Sequence, residues 1–228
     1  MFQSGNGSTT KTECRGLDVP QRMHVVLPGG WSCFQISIWE CWRYTCGMER
    51  QDSIELVIRR IGPEDSIAEL TQLLHRAYAG LAARGMRFVA TYQDEATTLD
   101  RISDGECHLA IQDGRMIGTI TWYDPQHCGG SPWYDRPDVA SFGQFGVEPV
   151  WQGRGIGERL LAVVEQRAAV TGAAELALDT AESAHDLIRF YTNRGFRRIE
   201  TAQWKHANYR SVIMSKRVGP PEGTTKII

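Results

Sequence analysis

From residue 54 onward, the apolar positions follow first a strand pattern and then a helix pattern. The segment IELVIRRI (54–61) is rich in β-branched residues, which favour strands. Between residues 67 and 77 the apolar residues recur at steps of three and four, as in an amphipathic helix. A weaker helical pattern covers residues 94–103. The chain therefore predicts one strand followed by two helices.

Two apolar segments in the middle of the chain predict a β-hairpin. CHLAI (107–111) and MIGTITWY (116–123) flank the dipeptide Asp113-Gly114. This dipeptide tolerates the positive φ angles that a tight hairpin turn requires. A third strand is predicted over VASFGQFGV (139–147), where two internal glycines indicate a bulge or a close approach of another backbone.

The second half of the chain alternates helix and strand patterns. A helix follows the glycines of VWQGRGIGERLLAVVE (150–165), and AELALDT (174–180) is typical of a buried strand. A helix is next predicted over 183–195, with Ser183 and Asp186 as a capping box and Gly195 as the stop. Segments 196–201 and 209–218 complete the order β-α-α-β-β-β-α-β-α-β-β, which predicts a mixed α+β sheet.

The two ends of the chain differ from the part between them. Residues 1–50 open with the small polar segment QSGNGSTTKT and continue with an aromatic patch that has no sustained period. We therefore expect an N-terminal extension over 1–50 that is flexible or upstream of the native start, because Met48 directly precedes the first strand pattern; an interaction arm is the alternative. One domain is predicted over 51–218, with a tail over 219–228.

Composition narrows the classes of partner. With 42% hydrophobic residues in 228, the chain can bury one core of ordinary size. A formal net charge of −2 gives no general attraction to nucleic acid or to anionic lipid. No apolar segment is long enough to span a membrane, so a cytoplasmic protein is expected. Six cysteines without a CxxC pair predict reduced thiols and no metal site.

Three glycines stand where a strand gives way to a helix. Gly153, Gly155 and Gly157 leave the backbone N–H groups unobstructed at a helix N-terminus, which favours an anion. A Walker P-loop would need Lys and Ser or Thr after Gly157, where the chain has Glu158 and Arg159. The spacing of a dinucleotide-binding loop fails as well, so neither ATP nor NAD is expected.

The segment QGRGIG (152–157) resembles the Q/R-x-x-G-x-G/A motif of the GNAT superfamily of acyl-CoA-dependent N-acyltransferases. FYTNRGF (190–196) is similar to the family's second signature, and the resemblance extends over about 54–218. It implies a mixed, mostly antiparallel sheet of six to seven strands flanked by about four helices. It also implies acetyl-CoA as co-substrate and no metal.

The resemblance further implies which residues bind acetyl-CoA. The glycine-rich motif would hold the pyrophosphate, and the strand before it would bond to the pantetheine arm. The motif residues are Gln152, Gly153, Arg154, Gly155, Ile156 and Gly157, and the strand residues are Phe145, Gly146 and Val147.

Catalysis requires an acid for the departing thiolate and a base for the amine. By the resemblance Tyr191 is the acid, and its unperturbed pKa of about 10 is close enough to that of a thiol. The family's usual base position is held here by Ser141, which leaves Glu148, Asp138, Glu106 or a water chain; we take Glu148 as the candidate. Direct attack by the amine is favoured over an acyl-cysteine intermediate on Cys107 or Cys128.

Aromatic residues crowd the segments that line acceptor pockets in this family. We expect Trp122, Trp133, Tyr134, Trp204 and Tyr209 to bind the acceptor. The predicted function is transfer of an acetyl group to a primary amine of a small molecule. A peptide or protein acetyltransferase and a non-catalytic acyl-CoA-binding regulatory module are the alternatives. A homodimer is compatible with the family.

Overall fold

The computed structural model of the chain describes residues 56–127 and 129–218. They form seven strands and four α-helices in the predicted order. The strands are β1 (Val57–Arg60), β2 (Glu106–Gln112), β3 (Arg115–Tyr123), β4 (Val139–Val147), β5 (Glu175–Ala181), β6 (Arg197–Ala202) and β7 (Ser211–Arg217). The helices are α1 (Ile67–Ala83), α2 (Glu95–Ser103), α3 (Ile156–Val170) and α4 (His185–Thr192).

The seven strands form one sheet in the order β1-β2-β3-β4-β5-β7-β6. Only the pairing of β4 with β5 is parallel, and every other pair is antiparallel. The parallel pair is connected through α3, as a parallel crossover requires. This arrangement confirms the predicted α+β class with its mostly antiparallel sheet and four helices.

Local backbone geometry confirms the predicted hairpin. Asp113 and Gly114 join β2 to β3 with φ angles of 52° and 70°. Positive values at both positions give the turn the twist that matches two antiparallel strands.

Both faces of the sheet are covered by helices. On β2, Leu109 packs in a cluster with Leu70 and Leu74 of α1, whereas the next residue, Ala110, belongs to the larger cluster around α3. Successive side chains of a strand point to opposite faces, so β2 contributes to both cores. The near-continuous apolar pattern of the central strands follows from this double burial.

The centre of the sheet opens into a cleft. The pairing of β4 with β5 ends at Ser141 and Ala177, although both strands continue for several residues. On its other side, β4 carries a bulge opposite β3, where Gln144 adopts a φ of 45°. A bulge increases strand twist, which turns the end of β4 away from β5. The bulge suggested by the glycines in this strand is thereby confirmed.

One local prediction is wrong. The capping box of Ser183 and Asp186 does not form: α4 begins after Ala184, which makes no side-chain capping bond. Asp186 instead accepts two hydrogen bonds from the Arg84 guanidinium, at 3.0 and 3.1 Å. The bidentate ion pair with Arg84, at the C-terminal end of α1, takes the place of the local capping bond.

The predicted extension over 1–50 and tail over 219–228 lie outside the described residues. None of the helices within 56–127 and 129–218 is long and apolar enough to cross a membrane.

Candidate active site

A cavity of about 540 Å³ lies where β4 and β5 separate. Its walls come from α1, the segment before α2, α2 itself through Arg101, the end of β4, the turn into α3, β5, α4 and the β6–β7 connection. One end of the cavity meets the glycine-rich turn, and the other contains several tyrosines and a carboxylate. The two ends share one continuous space, so two molecules bound there would meet.

The glycine-rich turn leaves the N-terminus of α3 open. Gly153 and Gly155 have φ angles of 73° and 79°, which only glycine adopts without strain. Gly155 is the N-cap residue and provides no side-chain capping bond, so the first N–H groups of α3 are left for another partner. A Cβ at Gly153 or Gly155 would meet nothing within 4 Å. The glycines therefore serve backbone conformation and access, not internal packing.

Most residues predicted to bind acetyl-CoA line this cavity. They are Phe145, Gly146, Val147, Gln152, Gly153, Gly155, Ile156 and Gly157. Gln152 supports the turn, because its Nε2 donates to the carbonyl oxygen of Val147 at 3.0 Å. Arg154 does not line the cavity, and its guanidinium lies 4.7 Å from the ring centroid of Trp151.

Gly146 has a second role, in bringing α1 close to β4. A Cβ at this position would lie 2.9 Å from the Cβ of Ala77, closer than two carbon atoms can pack. The close backbone approach expected from the glycines of this strand is thus found at Gly146.

Tyr191 lies at the cavity wall with its ring packed among phenylalanines. The ring centroid lies 6.1 Å from that of Phe142, 5.2 Å from Phe190 and 5.8 Å from Phe196. Burial raises the pKa of the Tyr191 hydroxyl well above that of an exposed tyrosine, and the nearby Tyr78 and Asp179 add to the shift. The hydroxyl therefore stays protonated at neutral pH and is held in a fixed direction.

The carboxylates considered as bases all pair with arginines away from the cavity. Glu148 accepts two hydrogen bonds of 3.0 Å from Nε of Arg76. Asp138 binds Arg136, which lowers the pKa of the carboxyl group, and Glu106 binds Arg167. None of these three carboxylates lines the cavity. For Asp138 and Glu106, the hydrogen bonds from Arg136 and Arg167 lower the pKa of the carboxyl group, which makes these two weak bases.

Asp179 is the carboxylate that the sequence interpretation missed. It lines the cavity and is exposed there, although the rest of β5 is buried. Nε1 of Trp204 and the hydroxyl of Ser211 both donate to Oδ2 at 2.9 Å. Oδ1 has no hydrogen-bond partner among the described residues. The available signal was an acid directly after the apolar residues LAL, in the interior of the strand segment ELALDTA.

The predicted acceptor residues divide into two groups. Trp204 and Tyr209 line the cavity beside Asp179. Trp122, Trp133 and Tyr134 do not: Trp122 packs in the main core, and Tyr134 lies behind Trp204 with a centroid distance of 6.4 Å. Trp122 points into the core from β3, whereas Trp133 and Tyr134 lie in the turn segment before β4 and pack with Val139, Ala177 and Ile213.

The cysteine that the structure describes is a core residue. Cys107 is buried against Thr119, and burial raises the pKa of its thiol, which keeps it a poor nucleophile. Cys128 lies outside the described residues. Within the described part of the chain, no group of three or more His, Cys, Asp or Glu side chains is arranged to hold a metal ion.

A protein-family model matches the part of the chain that forms most of this site. The model of the acetyltransferase (GNAT) family matches residues 67–196, which include both β4 and the turn into α3. A curated relative is the S-(2-succino)cysteine N-acetyltransferase of Bacillus subtilis strain 168. It is 30% identical over 142 residues, which span 60% of this chain and 82% of the relative.

Solved structures share the fold at low sequence identity. The ribosomal-protein-S18-alanine N-acetyltransferase of Escherichia coli aligns with a TM-score of 0.56 and 18% identity, over 75% of this chain and 99% of that chain. A GNAT family acetyltransferase from Elizabethkingia anophelis with acetyl-CoA bound aligns with a TM-score of 0.51 and 18% identity. That alignment covers 71% of this chain and 97% of the other.

Proposed function

Because the chain belongs to the GNAT family of acetyltransferases, we propose that it transfers an acetyl group from acetyl-CoA to a primary amine of a small molecule. The observation that carries the proposal is the cavity between β4 and β5, which joins an open helix N-terminus to a site holding Asp179 and Tyr191. An anion-binding end and a proton-transfer end in one space are what direct acyl transfer in a ternary complex needs.

The residues at the end of the cavity next to the glycine-rich turn fit acetyl-CoA. Its pyrophosphate requires several N–H donors and positive charge, and the uncapped start of α3 supplies both. The end of β4 runs beside the cavity unpaired with β5, so its backbone is available to the pantetheine arm. When bound, acetyl-CoA supplies an activated acetyl thioester.

Asp179 and Tyr191 divide the proton chemistry between them. Asp179 takes a proton from the incoming ammonium group, so that the nitrogen lone pair is free to attack, and the second proton leaves the nitrogen for solvent as the amide forms. The Tyr191 hydroxyl delivers its proton to the departing sulfur. Burial raises the pKa of this phenol, but the same apolar surroundings make a thiolate more basic, so the transfer stays feasible. Asp179 thereby replaces Glu148 as the proposed base.

The shape of the acceptor end supports a small molecule over a polypeptide. Tyr78, Phe88 and Tyr209 pack together at this end, with centroid distances of 5.5 and 4.7 Å. Together with Trp204 they form an aromatic wall around a space of limited volume. The curated relative acts on a cysteine derivative, as its name states, which makes S-(2-succino)cysteine the first acceptor to test.

The test is thiol release from acetyl-CoA by the full chain, with S-(2-succino)cysteine and a panel of other amines. We expect turnover with small amines. Asp179→Asn should lower kcat on the order of 10²-fold or more, since the amide keeps the bonds to Trp204 and Ser211 but cannot take a proton. Glu148→Gln is the matched control and should retain activity.

The alternatives predict different results. A peptide acetyltransferase would turn over peptide N-termini and leave free amines untouched. A regulatory module would bind acetyl-CoA, as measured by calorimetry, without any thiol release. Equal loss in Asp179→Asn and Glu148→Gln would contradict the assignment of the base.

A further inference from the structure

Arg101 on α2 is a half-buried cation that lines the acceptor end of the cavity. The part of the chain that the structure describes contains five half-buried arginines, and the other four each pair with a carboxylate: Arg59, Arg136, Arg167 and Arg194. Within the described residues, Arg101 forms no ion pair. A cation taken partly out of water without a counter-charge is costly, so an anionic ligand would stabilise it.

The guanidinium is held in place by a neutral group. Its Nη1 donates to Oε1 of Gln93 at 2.5 Å. Gln93 is only 2% exposed, and its Nε2 donates in turn to Thr98 at 2.7 Å and to Gln144 at 2.9 Å. A buried amide network therefore fixes the position of Arg101 without cancelling its charge. This is the arrangement of a preorganised binding group, because a structural ion pair would have used a carboxylate.

Arg101 and Asp179 shift the pKa of the same two cavity tyrosines in opposite directions. Burial raises the pKa of Tyr78 to about 12, Arg101 opposes that shift, and Asp179 adds to it. Burial likewise raises the pKa of Tyr209, with Asp179 adding to the shift and Arg101 opposing it. Both hydroxyls therefore lie within the field of one fixed negative and one fixed positive charge.

We propose that the acceptor carries a carboxylate in addition to its amine, and that Arg101 binds this carboxylate while Asp179 receives the amine. This inference rests on the proposed function and narrows its substrate class to amino acids and related zwitterions. The planar guanidinium matches a carboxylate with two parallel hydrogen bonds. Arg101 is thus a specificity-determining residue, and Gln93 is the residue that positions it.

The experiment compares matched acceptors in steady-state kinetics of the full chain with saturating acetyl-CoA. S-(2-succino)cysteine, L-methionine and L-glutamate are each paired with the analogue in which the carboxylates are carboxamides. The wild type should favour the carboxylates by roughly 10- to 100-fold in kcat/KM, the worth of a charge-assisted bond. Arg101→Met should remove this preference by raising KM much more for the carboxylates than for the carboxamides.

Two further variants separate charge from structure. Arg101→Lys keeps the positive charge but loses the planar group that makes two parallel hydrogen bonds, so part of the preference for carboxylate acceptors should remain. Gln93→Glu places a carboxylate beside Arg101 and should raise KM for carboxylate acceptors more than for the carboxamides. Calorimetry with CoA should give the same affinity for every variant, because the site for the pyrophosphate lies at the other end of the cavity.

The failures of the two proposals are distinguishable. Equal or better turnover of the carboxamides by the wild type would overturn the role of Arg101 and leave the acetyltransferase proposal standing. The same loss for both members of each pair in Arg101→Met would also overturn it, since a purely structural role predicts that result. Absence of turnover with every amine would overturn the proposed function and this inference with it.

Discussion

At the scale of single residues, the neighbours of each carboxylate and of Tyr191 decide which chemical role the side chain can have. The sequence resemblance predicts Tyr191 as the acid, and the structure places this residue of α4 at the cavity wall. It did not identify Asp179, because nothing in a sequence tells which carboxylates meet arginines. In the folded chain, Glu148 pairs with Arg76 and Asp138 pairs with Arg136. Asp179 accepts hydrogen bonds from neutral donors only.

Replacing Tyr191 by Phe tests its hydroxyl alone. We expect kcat to fall by roughly 10²- to 10⁴-fold, the usual contribution of a positioned general acid. Thermal stability and CoA affinity should be unchanged, because the phenyl ring keeps its contacts with Phe142, Phe190 and Phe196. The kinetics of thiol release and a thermal melt measure the two quantities. A variant that is fully active would show that Tyr191 is a core residue only.

At the scale of elements, periodicity predicted the helices and strands, and turn chemistry predicted the hairpin at Asp113 and Gly114. The capping box at Ser183 failed because Asp186 has a partner from another element, Arg84. Local patterns describe contacts within a segment. They carry no information about a side chain that reaches in from a distant one.

The open N-terminus of α3 can be tested against the other end of the same helix. Gly155 and Gly172 have φ angles of 79° and 81°, and an added Cβ meets nothing within 4 Å at either position. Alanine at each site should therefore cost a similar 1–2 kcal/mol or so in unfolding free energy. Only Gly155→Ala should weaken CoA binding, on the order of tenfold, since it disturbs the N–H groups that face the pyrophosphate. Equal CoA affinity in calorimetry for the two variants would argue against this role.

The contact between α1 and β4 gives a second prediction at this scale. Gly146→Ala should destabilise the protein by about 1–3 kcal/mol, because its Cβ would lie 2.9 Å from that of Ala77. Ala77→Gly removes the obstructing atom and should cost about 1 kcal/mol by itself. In the double variant, the loss of unfolding free energy measured by denaturant should be smaller than the sum of the losses in the two single variants. Simple additivity would show that the helix moves away freely.

At the scale of the whole molecule, neither the strand order nor the separation of β4 from β5 could be predicted from the sequence. Both depend on contacts between residues far apart in the chain, such as the parallel pairing of β4 with β5 across α3. The cavity exists only once that pairing stops at Ser141 and Ala177. This is why Arg101 and Asp179, 78 positions apart, could not be brought together from sequence patterns.

Acid sensitivity is a property of the whole fold. Hydrogen bonds from Arg59 lower the pKa of Asp65, and those from Arg197 and Ser215 outweigh burial to lower the pKa of Glu175. A lowered folded-state pKa contributes stability above the unfolded pKa of about 4, and that contribution is lost as the pH falls through the folded value. Unfolding free energy should therefore drop below about pH 4. Denaturant titrations of the wild type and Glu175→Gln should show a shallower drop in the variant, and identical slopes would contradict this origin.

The most direct test of the account is a crystal structure of the full chain with acetyl-CoA. We expect the pyrophosphate on the backbone N–H groups at the start of α3, the pantetheine arm along β4, and the thioester between Tyr191 and Asp179. Acetyl-CoA bound elsewhere, or with its thioester directed away from Tyr191 and Asp179, would contradict the central claim that one cleft between β4 and β5 brings donor and acceptor together.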